Sequence, residues 1–71
     1  MRLVWTRHPT KATAHYPGGE LAASVHPNQT DYAAEVEVVV FDRAGKRIDR
    51  RGAEDIEDGI GMATAILASR T

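Results

Sequence analysis

A chain of 71 residues with a formal net charge of −1 and no cysteine allows one domain, because so short a polypeptide encloses a single core. Leu, Ile, Val and Phe number 14 in all, so that core is small, and neither disulfides nor thiolate metal sites reinforce it. No run approaches the roughly 20 apolar residues of a membrane span, and residues 1–7 lack the continuous apolar segment of a secretion signal, which points to a cytoplasmic chain without membrane contact.

Turn signals crowd the first half. His8-Pro9-Thr10, Tyr16-Pro17-Gly18-Gly19 and His26-Pro27-Asn28-Gln29-Thr30 separate runs too brief for helices, so Arg2 to Arg7, Lys11 to Tyr16 and Glu20 to His26 read as short antiparallel strands. Trp5 is the one large side chain available to anchor the first two. His8 and His26 precede prolines and are therefore expected in turns. From Tyr32 to Phe41, Glu35 and Glu37 alternate with Ala34, Val36 and Val38, the period of a strand with one buried and one wet face. Asp42-Arg43-Ala44-Gly45 has the composition of a tight hairpin loop, with glycine able to take a positive φ, and Lys46 to Arg51 returns as the next strand.

At about Ala53 the period changes. Ile56, Gly59, Ile60, Ala63, Ile66 and Leu67 recur at helical spacing up to about Ser69, one face of an amphipathic helix with Glu54, Asp55, Glu57 and Asp58 in its first turns, as the helix dipole favours. The expectation is that Ile56, Ile60, Ala63 and Leu67 bury against Val36, Val38 and Val40. Gly59 lies on the apolar face, where close approach to the sheet explains a glycine; Gly61 has no such explanation. The whole reads as a single domain over residues 1–71, an α+β fold in which an antiparallel β-meander of three to five strands, within 2–51, packs against one C-terminal helix at about 53–69.

Charge is segregated along the chain: residues 31–42 carry −4, 43–51 carry +4 and 54–58 carry −4. The basic block, Arg43, Lys46, Arg47, Arg50 and Arg51, reads either as a set of phosphate contacts or as partners for Glu35, Glu37 and the acidic helix start; a net charge near zero favours the second. The acidic group Glu54, Asp55, Glu57 and Asp58 reads likewise as a complement to the helix N-terminus or as carboxylates offered to a basic protein surface.

Signatures of catalysis are weak. The three histidines, His8, His15 and His26, form no pair at metal-ligand spacing, Ser24 and Ser69 lack the Gly-x-Ser-x-Gly setting, and Gly18-Gly19 is an ordinary turn. The expectation is no enzyme, no metal and no cofactor. Val39 points opposite to Val38 and Val40 on a strand, so Val39 and Phe41, with Met62 and Ile66 on the helix, are candidate residues for a homodimer contact or a partner-binding surface, and a homodimer is the expectation for so small a core with open sheet edges.

The segment Leu3-Val4-Trp5-Thr6, short strands split by Gly-rich turns, a Tyr-led strand ending in Asp42-x-x-Gly45 and an acidic-start, Ala-rich helix from Glu54 to Ala68 resemble small accessory proteins of actinobacterial phages, over most of the chain. The resemblance implies a sheet-plus-helix domain, a plan shared with sheet-type DNA readers and more loosely with the antitoxin half of HicAB pairs. Those readers carry Arg, Lys and aromatic residues on the open sheet face, where this chain has Glu35 and Glu37. The role implied is binding and modulation of a host or phage protein. The expected function is thus a non-enzymatic protein–protein interaction module, with a small nucleic-acid-binding module on the 43–51 hairpin as the alternative.

Overall fold

The turn residues divide the first half of the chain into three short strands, β1 (Val4–Arg7), β2 (Ala12–His15) and β3 (Leu21–Pro27), followed by β4 (Val36–Phe41), β5 (Arg47–Ala53) and the helix α1 (Ile56–Ser69). The computed structural model describes residues 3–28 and 35–70. Neighbours in sequence are neighbours in space: the five strands form one antiparallel sheet in the order β1-β2-β3-β4-β5, with α1 laid over β3, β4 and β5. The α+β fold expected from the sequence is the one observed, at the upper end of the strand count. Tyr32 to Ala34, assigned to the fourth strand in the sequence, lie outside the described residues, and Glu35 just precedes the strand.

Two details differ from the expectation. His26 is not in a turn but inside β3, which runs on to Pro27; a proline is tolerated there because it ends the strand. The helix begins at Ile56 rather than near Ala53, which still belongs to β5. Asp55 is the reason. In extended conformation (φ −151°) it accepts a hydrogen bond from Asp58 N–H at 2.8 Å, while the Asp58 carboxylate accepts from Glu54 N–H at 3.3 Å. This reciprocal cap satisfies two backbone donors outside the helical ladder and sets the first turn.

The β4–β5 hairpin forms as its composition requires. Gly45 takes φ +86°, a conformation that other residues adopt at a cost, and Asp42 Oδ1 accepts from both Ala44 N–H and Lys46 N–H at 2.9 Å. A bulge between Val40 and Phe41 ends the regular pairing, so that Val40 faces Asp49 while Phe41 faces Arg47. A second bulge lies between β2 and β3, where Ala14 faces Ala23 but His15 faces Leu21. The extra residue, Ala22, is buried with Ala23, and Leu21 keeps the side of the sheet that His15 occupies.

Between sheet and helix lies the core: Ala12, Ala14, Ala23, Val25, Val36, Val38, Val40 and Ala53 from the strands, Ala63 and Leu67 from the helix. On α1 the fully buried line is Gly59, Ala63 and Leu67, four residues apart. Ile56 and Ile60, expected at full burial, are only half-buried flanks of that line, as are Met62 and Ile66. The physical reason is size: glycine and alanine bring the helix axis down onto β3 and β4, and the larger side chains splay to either side. A Cβ placed on Gly59 would stand 2.5 Å from Val25 Cγ1 and 3.0 Å from Val38 Cγ2, the close approach anticipated for it. Gly61 is exposed and faces open space, and nothing in the structure explains it.

Candidate functional site

Because Val25 and Val38 face the helix, strand alternation sends Ser24, His26, Glu37 and Val39 to the opposite face. The register then assembles that face in cross-strand rows. One row is Thr6, Thr13, Ser24, Val39 and Arg50; a second is His26, Glu37 and Gly52; a third is Val4, His15 and Leu21. Among the described residues no element covers these rows.

The middle of the face is a linked polar chain. Ser24 Oγ and His26 Nδ1 are hydrogen-bonded at 2.9 Å, and His26 Nε2 stands 3.7 Å from Glu37 Oε2, an ion pair only when the imidazole is protonated. Glu37 Oε1 accepts from Arg50 Nε at 2.6 Å across the β4–β5 ladder. Glu37 is accordingly not a wet strand residue: its side chain is 16% exposed, and Val39 beside it is 8% exposed. At one end of the chain a cleft of about 90 Å³ is lined by Asn28, Glu37, Arg50, Arg51 and Gly52.

A serine, a histidine and a glutamate in this order suggest a nucleophile with its base, and the geometry bears on that chemistry. The 3.7 Å gap from His26 to Glu37 is too long for the hydrogen bond that orients a catalytic imidazole, and the Glu37 carboxylate is already engaged by Arg50. Ser24 sits in an interior strand paired with β2 and β4, so the surrounding backbone N–H groups serve the sheet ladders rather than a developing oxyanion. The arrangement is suited to presenting a fixed set of donors and acceptors. Weighed singly in the sequence, Ser24 and His26 are set aside; their Ser-x-His spacing on a strand is the signal that joins them, but only the β3–β4 register brings Glu37 to them.

The candidate residues from the sequence divide into three groups. Arg50 pairs with Glu37, and Arg51 with Asp49 at 3.2 Å, so two of the five cations of the basic block meet carboxylates within their own hairpin. Arg43, Lys46 and Arg47 stand at or beside the hairpin tip, with the Arg43 guanidinium 5.1 Å from the centre of the Tyr16 ring. In the acidic group, Asp55 and Asp58 cap the helix, Glu57 pairs with Arg7 of β1, and Glu54 is exposed. Val39 and Phe41 lie on the helix-free side, whereas Met62 and Ile66 pack against the core. No group of His, Asp and Glu able to hold a metal ion occurs among the described residues, nor any helix long and apolar enough to cross a membrane.

Two of these ion pairs shift carboxyl equilibria. Hydrogen bonds from Arg7 hold Glu57 below its ordinary value of 4.5, and a hydrogen bond from Arg51 followed by one from Arg50 N–H holds Asp49 below 3.8. A carboxyl depressed by folding contributes stability above its unfolded value, and the contribution disappears as pH falls through the folded one. Glu57 is exposed and Asp49 half-buried at a strand surface, and both are paired within reach of water, so the effect is modest. Urea midpoints of the wild type and Arg7→Gln are expected to differ near neutrality and to converge once the pH has dropped well below 4.5; parallel curves would show that the Arg7–Glu57 pair contributes nothing.

Compared with protein-family models, with curated proteins and with solved structures, the chain matches none.

Proposed function

We propose that the protein is a non-enzymatic protein–protein interaction module that binds its partner on the helix-free face of the sheet. One observation carries the reading: of the described residues, the exposed large hydrophobic ones are Val4, 56% exposed, and Leu21, 38% exposed, and the register sets both in a single row with His15 between them. Scattered apolar side chains on a surface are ordinary, but two aligned on the uncovered side of a one-helix sheet form a strip that association would remove from water. Thr6, Thr13 and the Ser24–His26–Glu37–Arg50 chain lie beside the strip on the same face, so apolar contact and hydrogen-bonding groups adjoin there as they do in protein interfaces. In the setting the phage resemblance implies, the partner is a host or phage protein.

The test is the variant Val4→Asp/Leu21→Asp. Both positions are exposed, so the fold is expected to survive, as circular dichroism and a thermal melt will show. Light scattering at about 100 µM reads whether the partner is a second copy of the chain, and affinity capture from a phage-infected lysate reads other proteins. The proposal expects an associated species, or a captured protein, that the double variant loses. A monomeric wild type whose captured proteins are all retained by the variant would overturn it.

A further inference from the structure

Resting on the helix-free face as the docking surface, we infer that its turn-bearing end receives an acidic, apolar-rich segment of the partner protein, with Val4, Leu21 and Phe41 against its apolar side chains and Arg43, Lys46 and Arg47 against its carboxylates. Antiparallel pairing collects these residues from distant parts of the sequence. Val4 pairs with His15 and His15 with Leu21, while Ala23 pairs with Val40, so the β2–β3 turn and the β4–β5 hairpin project from the same end of the sheet. The Tyr16 hydroxyl joins them by donating to the Phe41 carbonyl at 2.7 Å. Phe41 follows Val40 and so takes the opposite, helix-free side, where it pairs with Arg47.

Charge distinguishes this end. Arg50 and Arg51 are matched by Glu37 and Asp49, whereas Arg43, Lys46 and Arg47 have no carboxylate within ion-pair distance among the described residues. Two carboxylates are nearby in the turns. Asp42 is directed into its own loop by the Ala44 and Lys46 N–H groups, and Glu20 folds back over Gly18. Arg43 is held against the Tyr16 ring, which reduces the side-chain freedom to be lost when it meets a ligand.

A carboxylate-bearing polypeptide fits better than a nucleic acid. Three cations beside an aliphatic strip offer few phosphate contacts, and affinity for a polyanion scales with their number. The chain as a whole carries −1, so a long polyanion gains nothing from the field beyond the hairpin, whereas a short acidic segment meets only its tip.

Fluorescence anisotropy tests this with three labelled probes: a peptide of leucines and glutamates, its counterpart with every glutamate replaced by glutamine, and a DNA duplex. The glutamate peptide is expected to bind the wild type at least about tenfold more tightly than the glutamine peptide, and to weaken between about 50 and 300 mM salt. The variant Arg43→Gln/Lys46→Gln/Arg47→Gln, checked for an unchanged melt, is expected to lose that advantage. Equal binding of the two peptides, an unaltered affinity in the triple variant, or tighter binding of the duplex than of the glutamate peptide would each overturn the inference. If the two peptides bind equally and Val4→Asp/Leu21→Asp abolishes both, the docking face stands and the acidic preference alone falls. If neither binds, the acidic inference falls, and the docking face is judged by the association measurement on that double variant.

Discussion

Leu67→Ala is expected to lower stability by about 2–5 kcal/mol, a large share of the roughly 5–15 kcal/mol typical of a small domain. Leu67 is 2% exposed, the largest of the fully buried side chains, and the last residue of the Gly59-Ala63-Leu67 line. Its removal loses the transfer free energy of the missing carbons and leaves a void in the core that the surrounding close-packed side chains fill only in part. Ile60, half-buried on the flank of the same helix, is expected to cost clearly less when shortened to alanine. Urea unfolding followed by circular dichroism checks both, with the midpoint falling and the slope unchanged. An Ile60→Ala loss equal to that of Leu67→Ala would mean that the buried line is wrongly placed.

Gly59→Ala is expected to destabilise although alanine is the better helix former. Propensity alone favours alanine by about 1 kcal/mol. Against this, the new methyl would stand 2.5 Å from Val25 Cγ1 and 3.0 Å from Val38 Cγ2, and both valines are fully buried in neighbouring strands. Valine has one stiff side-chain torsion and no flexible end to move aside, so the helix has to lift or the strands have to shift, overpacking that costs about 1–3 kcal/mol. Gly61→Ala is the internal control, since nothing lies within 4 Å of its Cβ position, and it is expected to stabilise by up to about 1 kcal/mol. Thermal melts of the two variants should therefore move in opposite directions. A rise in both would mean that α1 does not approach the sheet as closely as the Gly59 contacts require.

Local signals made most of the fold legible. The period-2 pattern around Val36 to Val40, the Asp42-x-x-Gly45 loop and the helical spacing from Ile56 to Leu67 each act within a few residues, where backbone preference and hydrophobic alternation are decisive. The helix start was less legible. Ala53 and Glu54 suit a helix as well as a strand end, and the choice fell to the hydrogen bonds exchanged among Glu54, Asp55 and Asp58. His26 misled for a similar reason, because a following proline ends a strand as readily as it makes a turn.

The candidate site was less legible, because it is a property of register. By itself the sequence determined a small α+β fold, the order of its elements, the hairpin and the apolar side of Val36 and Val38 on β4, since these follow from alternation and turn chemistry. It also held the basic block, without saying which of its members are matched. Only the tertiary structure decided that Arg50 pairs with Glu37 and Arg51 with Asp49 while Arg43, Lys46 and Arg47 meet no carboxylate among the described residues, that Ser24 and His26 join Glu37, and that Val4 and Leu21 share a row. The physical reason is that a strand's sequence sets which side chains share a face, whereas the side chains they meet depend on a pairing offset and on two bulges. A shift of one residue in either would have left every local signal intact and assembled a different surface.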